Sequence, residues 1–179
     1  MKDISLHILD IVQNSIVAKA GLIEIAIHDS LAGNIYSVTI KDNGKGMSSE
    51  ILETVTDPWT TSRTTRKVGM GLPLFKQNAE LTGGFFSIQS ELNKGTTLTA
   101  SFINNNIDRL PDGDIVGVYS MLLSANPELN FLFTHKTDKG EYVFDTRKVK
   151  EVLGDTPLNA PEIRTYLKEM LAENIQELY

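Results

Sequence analysis

The chain is expected to be an α/β protein in which helices alternate with pairs of strands, and three observations predict this. Apolar residues three and four apart mark residues 4–16, 72–79 and 163–178, the spacing of a helix with one buried face. Residues 22–29, 35–41, 85–90 and 96–103 instead alternate apolar and polar, as half-buried strands do. The turn formers SLAGN and ELNKG fall between consecutive alternating segments, so each pair is expected to be a hairpin.

The first helix carries Ile4, Ile8, Leu9, Val12 and Ile16 on its buried side and stops near Ala20-Gly21. Asp10 and Asn14 are four apart and therefore stacked on one side of it. LIEIAIHD and IYSVTIK form the first hairpin, and Asp42 ends the second strand. SSEILETV predicts a short helix with an acid in its first turn. Residues 56–67 are polar and aperiodic, as expected of a mobile loop, with Trp59 beside Pro58 anchoring its base. GMGLPLFKQNAELTGG returns to helical spacing, and FFSIQS and TTLTASFI form the second hairpin. Residues 104–114 are dense in turn formers, which places a boundary there. A helix (IVGVYSMLLSAN), a hairpin about residues 138–140, a helix over 146–153 and a last helix with Pro161 in its first turn are expected beyond it. There is no internal repeat and no low-complexity tract.

With 179 residues, 41% of them hydrophobic and 22% charged, the chain is long enough for one good core. A net charge of −6 disfavours nonspecific binding to nucleic acid or anionic membrane. Cysteine is absent, so there is neither a disulfide framework nor a thiolate metal site, and a reducing cytoplasm is the default location. No apolar run approaches membrane-spanning length, and MKDISLHILDIVQNS, with Asp3 and Asp10, reads as a helix and not as a signal peptide.

The most informative stretch is IKDNGKGM, residues 40–47. It places the carboxylate of Asp42 at a strand end, where Gly44 and Gly46 let the backbone turn and a flat ligand approach closely. Three more segments suit the same ligand: LDIVQNS (9–15), TTSRTTRKVGMGL (60–72) and NKGTT (93–97). A Mg-nucleotide needs an adenine reader, a metal ligand, phosphate donors and, for chemistry, a base. Asp42 suits the adenine amine, Asn14 would give an amide oxygen to Mg²⁺, and Asp10 lies one helical turn away as the candidate base. Gly69 and Gly71 open a helix whose backbone N–H groups would face phosphate, with Arg63, Arg66 and Lys67 just before as a cationic lid.

On its own, DNGKG is more often a tight surface turn. A calcium loop fails because Gly44 and Gly46 occupy positions that need oxygen ligands. GMGLPL is no dinucleotide fingerprint, since Leu74 stands where the third glycine belongs, and neither GK nor KGT completes a P-loop. His7, His28 and His135 are expected to be structural, and the apolar stripe of the last helix to be core. Asp10 and Asn14 are flanked by Ile11, Val12, Ile16 and Val17, which argues against two merely solvated side chains.

The four segments, in this order, resemble the GHKL superfamily of gyrase-type topoisomerases, heat-shock chaperones, sensor histidine kinases and MutL-type mismatch-repair ATPases, over about residues 4–103. LDIVQNSIVAKA resembles the N box, which implies Asp10 as general base and Asn14 as Mg²⁺ ligand. DNGKGM resembles the first glycine box, with Asp42 reading adenine and Gly44, Gly46 and Met47 around it. VGMGLP and NKGTT resemble the second and third, which implies nucleotide contacts from Gly69, Met70, Gly71 and Leu72 and from Thr96. Residues 57–74 are most similar to the lid of sensor histidine kinases.

The resemblance implies a two-layer α/β sandwich over residues 1–103, with residues 104–179 a small α/β extension of unknown role. It implies ATP and Mg²⁺ as ligands and a protein partner that receives phosphate or a conformational signal. The base position holds Asp10 where ATPase members typically have Glu, one methylene longer, which puts hydrolysis in doubt. With the N box at the start of the chain, no upstream phosphoacceptor hairpin is expected. A kinase acting on a separate partner is therefore the leading expectation. An ATP-driven conformational switch with slow hydrolysis and a non-catalytic nucleotide sensor are the alternatives.

Overall fold

The computed structural model of the protein describes residues 1–57 and 71–179. The first helix, α1 (Ile4–Val17), starts where the Asp3 carboxylate accepts the Leu6 N–H at 3.0 Å. Its Ile4, Ile8, Ile11 and Val12 are buried. It ends as Lys19 enters the left-handed region at φ 58°, and the chain passes into β1 (Leu22–Ser30). β1 pairs antiparallel with β2 (Ile35–Asp42) through a turn that contains Asn34 at φ 54°. A short helix, α2 (Ser49–Thr54), is capped by the Ser48 hydroxyl, and α3 (Gly71–Leu81) leads into β3 (Phe85–Glu91) and β4 (Gly95–Ile103).

The remaining elements are α4 (Ile115–Ala125), β5 (Asn130–Thr137), β6 (Glu141–Asp145), α5 (Thr146–Leu153) and α6 (Pro161–Gln176). Asp114 caps α4 through the Gly117 N–H and Asp145 caps α5 through the Arg147 N–H. α6 opens on Pro161 with no side-chain cap.

The strands form one six-stranded sheet in the order β3-β4-β2-β1-β5-β6. It is mixed: β5 runs parallel to β1, and every other neighbouring pair is antiparallel. Residues 104–179 thus add two strands to the sheet that carries β1 to β4. The same segment also reaches the start of α1, whose Ile4 and Ser5 N–H groups donate to the carbonyls of Pro111 and Asp112, each at 2.9 Å.

Alternation along the strands decides which face is core. Ile23, Ile25 and Ile27, Tyr36, Val38 and Ile40, Leu98, Ala100 and Phe102, and Phe131 and Phe133 are buried against the helical layer. That layer contributes Phe75 from α3, Val118, Tyr119, Leu122 and Leu123 from α4, and Leu167 and Leu171 from α6. The opposite face is polar around β1, β2 and β4, where Lys41 pairs with Glu24 at 3.1 Å and Thr39 meets Thr99 at 3.1 Å. No helix among the described residues is long and apolar enough to cross a membrane. The two-layer α/β sandwich expected of the sequence is therefore the fold observed.

Candidate functional site

The site lies where α1 crosses the ends of β2 and β4. The register sets Asp42 opposite Thr96, and Thr96 opposite Ser90, so three polar side chains lie side by side at one level of the sheet. Asp42 is buried, and both of its oxygens are held. Oδ2 accepts from the Ser15 hydroxyl at 2.6 Å and Oδ1 from the Gly44 N–H at 2.8 Å. Each carboxylate oxygen has two lone pairs, so acceptor capacity remains for a ligand.

The glycine turn after Asp42 is packed backbone to backbone. Gly46 has φ 64°, and a Cβ there would fall 2.0 Å from the Glu91 carbonyl oxygen. Gly95 has φ 113°, and a Cβ on it would fall 1.9 Å from the Asp42 carbonyl oxygen. The turn is tied down by Lys45 N–H to the Ala18 carbonyl at 2.9 Å and by Asn93 N–H to the Lys45 carbonyl at 2.7 Å. Behind it, the Asn43 carboxamide oxygen accepts the Gly21 and Leu22 N–H groups. Ser90 completes the frame: its Oγ accepts from the Met47 N–H at 2.8 Å and lies 2.8 Å from the Thr96 hydroxyl.

These groups surround a cavity of about 370 Å³, within the range of small-molecule sites. Asn14, Asp42, Gly46, Met47, Leu72 and Thr96, all candidates from the sequence, line it together. Gly44 lies just behind, against Ala18 and the Asp42 carboxylate. The walls are otherwise apolar, with Ile11, Ile40, Ile88 and Leu98 prominent, so a flat ring would be enclosed by hydrocarbon and oriented by one carboxylate. Among the described residues, Asp10 does not line the cavity. It sits one turn back on α1 against the start of α3, where a Cβ on Gly71 would fall 1.7 Å from its Oδ2. Gly71 therefore leaves room for the Asp10 carboxylate. Arg63, Arg66, Lys67, Gly69 and Met70, together with the Pro58 and Trp59 anchor, lie outside the described residues.

Ser15, Lys45 and Ser90 belong to the site without having been singled out in the sequence. A signal for Ser15 was present: Ile11, Asn14, Ser15 and Ala18 follow helical spacing, so they share the face of α1 that lines the cavity. His7, on the same helix, is buried and stacks on Phe75 at 4.8 Å, with Nε2 3.0 Å from the Asn78 amide nitrogen. Burial pulls its pKa down to about 4, so the ring is neutral near pH 7.

A carboxamide-bearing helix laid over a sheet end, with a buried strand-end carboxylate and glycine turns packed to contact, defines an ATP-binding domain of the GHKL class. The chain belongs to the histidine kinase-, DNA gyrase B- and HSP90-like ATPase family, which matches residues 2–105. It is similar to the sensor histidine kinase ZraS of Escherichia coli, with 30% identity over 97 residues that cover 54% of this chain and 20% of that protein. Sporulation kinase D of Bacillus subtilis is 36% identical over 62 residues, 35% of this chain and 12% of that one. A protein of Shewanella frigidimarina named as a sensor protein is 35% identical over 99 residues, 53% of this chain and 15% of that one. The chain thus matches a fifth or less of the length of these relatives. In fold it is similar to the crystal structure of the N-terminal domain of a DNA repair protein, with a TM-score of 0.55 and 19% identity, over 87% of this chain and 58% of that one.

Proposed function

We propose that the protein is a Mg-ATP-dependent protein kinase that acts in regulatory signalling in the cytoplasm, passing the γ-phosphate to a residue on a separate partner. The observation that carries this is the cavity: an apolar slot with a buried, doubly held carboxylate at its base and Asn14 on its wall, in a domain similar to those of sensor kinases. Asp42 takes the adenine amine as acceptor, and the apolar walls take the ring. Gly46, Met47, Leu72 and Thr96 enclose it, and the segment with Arg63, Arg66, Lys67, Gly69, Met70 and Gly71 covers the phosphates.

Mg²⁺ fits this donor set. Among the described residues there is no group of three or more His, Cys, Asp or Glu to hold a metal alone. Mg²⁺ needs only one or two protein oxygens, the rest of its shell coming from water and phosphate, and the Asn14 carboxamide oxygen would supply one. When bound, the ion offsets phosphate charge.

In the transfer step the partner's acceptor atom forms a bond to the γ-phosphorus as the bond to the bridging oxygen breaks, and ADP departs. Asp10 receives the proton that the acceptor loses. Residues 1–103 carry every group named here, and residues 104–179 are an extension to that nucleotide-binding unit. A second reading, an ATP-driven switch with slow hydrolysis, draws on the contact between Asp10 and Gly71, which links the base position to α3.

Incubating the chain with γ-labelled ATP and the proteins encoded beside it tests this. Label transferred to a partner, little free phosphate, and loss of both without Mg²⁺ are expected. Free phosphate without labelled protein would replace the kinase reading by the switch. Neither product, with no ATP binding in calorimetry, would overturn both.

A further inference from the structure

On the helical side of the extension, α4 and α6 flank a groove of about 700 Å³, distinct from the nucleotide cavity. The α4 wall combines the small residues Gly117, Ser120, Ser124 and Ala125 with the exposed thioether of Met121. The α6 wall presents Arg164, Thr165 and Lys168. Arg164 and Lys168 are four apart and therefore project from one side of α6. Neither makes a side-chain hydrogen bond or ion pair among the described residues, although the chain carries 23 acids against 17 bases and α6 itself holds Glu162, Glu169 and Glu173.

Two further features of the groove lack partners. The Ser120 Oγ is buried and makes no hydrogen bond. The start of α6, where Pro161 lines the groove, has no side-chain cap for its first N–H groups. Ser124 and Thr165 by contrast spend their hydroxyl protons within their own helices, on the carbonyls of Ser120 and Pro161. The free groups are all hydrogen-bond donors, and two of them are cationic.

We infer that the α4–α6 groove is a docking site for an acidic segment of a partner protein, whose Asp or Glu carboxylates pair with Arg164 and Lys168. The complementarity is one of charge: the unpaired cations Arg164 and Lys168 select an acidic ligand, and a symmetric pairing of this face with the same face of a second copy would set like charges against each other. Gly117 and Ser124 leave room beside α4, Met121 adds an apolar contact, and the open groove suits a segment longer than one residue. The inference concerns the extension and does not depend on the nucleotide reading.

The test uses the full chain, isotope-labelled, with a fluorescent 12-residue Asp/Glu-rich peptide as the probe, followed by anisotropy and amide shift mapping. Shifts centred on α4 and α6 are expected, with affinity falling as salt rises. The double variant R164E/K168E should lose about tenfold or more of the affinity, while K2E/K136E, the same charge change at exposed sites elsewhere, should lose less than about threefold. Equal loss in the two double variants would mean that the peptide reads net charge and would overturn the site. Inorganic phosphate shifting the same residues while the peptide does not bind would overturn the acidic-segment assignment. ATP affinity should be the same in all these variants, so failure here and failure of the kinase reading remain separable.

Discussion

Replacing Asp42 by Asn removes one charge and changes little else, and the structure sets the size of the effect. Asn keeps the shape, and its carbonyl oxygen can still accept the Gly44 N–H now held at 2.8 Å by Oδ1. Its NH₂ then takes the Oδ2 position, where the Ser15 hydroxyl, now donating at 2.6 Å, can turn and accept. The frame therefore survives. The acceptor facing the cavity does not, because the adenine amine would meet an N–H where it had met a carboxylate oxygen. Loss of a buried, charge-assisted bond costs ~1–3 kcal/mol, so ATP affinity should fall roughly 10- to 100-fold. Calorimetry should show wild type preferring ATP over GTP, whose corresponding edge presents a carbonyl, and should show that preference shrinking in the variant. Ser15→Ala should act in the same direction but only a few-fold, since it removes one donor and leaves the charge. Equal affinity of the wild type for ATP and GTP, or an Asp42→Asn variant within twofold of wild type for ATP, would refute the adenine assignment.

Asp10→Asn should lower phosphoryl transfer or hydrolysis by about 10²- to 10⁴-fold while ATP affinity stays within a few-fold, the pattern of a group that acts in the transition state. Rapid turnover that is indifferent to this change would remove Asp10 from the chemistry. Gly46→Ala combines φ 64° with a Cβ 2.0 Å from the Glu91 carbonyl oxygen, so denaturant midpoints should report a loss of about 2 kcal/mol or more. His7 titrates at the ordinary 6.5 when unfolded and near 4 when folded, so the unfolded chain binds the extra proton between those values. Stability should therefore be undiminished above pH 6.5, fall by about 3 kcal/mol as pH drops towards 4, and fall less in His7→Leu, as read from urea unfolding across that window.

Much of this molecule was legible because its signals are local. The spacing of Ile4, Ile8 and Val12 marks α1, the alternation of Ile23, Ile25 and Ile27 marks β1, and a strand-end acid before two glycines marks the site. The start of α6 was legible for the same reason, from Pro161 in its first turn. What joins distant segments was not. The pairing of β2 with β4, and the parallel placement of β5 beside β1, are set by which buried faces fit together, and no short window contains that information. Ser15 shows the same limit within the site: helical spacing puts it on one face with Asn14, but its hydrogen bond to a carboxylate 27 residues away is not contained in that spacing. Gly95 likewise reads as an ordinary turn glycine until the Asp42 carbonyl is seen against it.

The parallel seam has a consequence for how the protein is made. β1 leaves the ribosome early, hydrogen-bonded on one side to β2, but its other row of N–H and C=O groups stays open until β5 is synthesised, since Ile23 must wait for Phe131 and Ile25 for Phe133. During that interval the nascent chain exposes a nine-residue edge rich in isoleucine, the kind of surface that pairs with a strand of another molecule. A message cut after β4, or a ribosome stalled there, would release a polypeptide with the nucleotide cavity encoded but a raw sheet edge, whose characteristic fate is aggregation. Synthesis through β5 is thus the point at which the product becomes safe from its own neighbours.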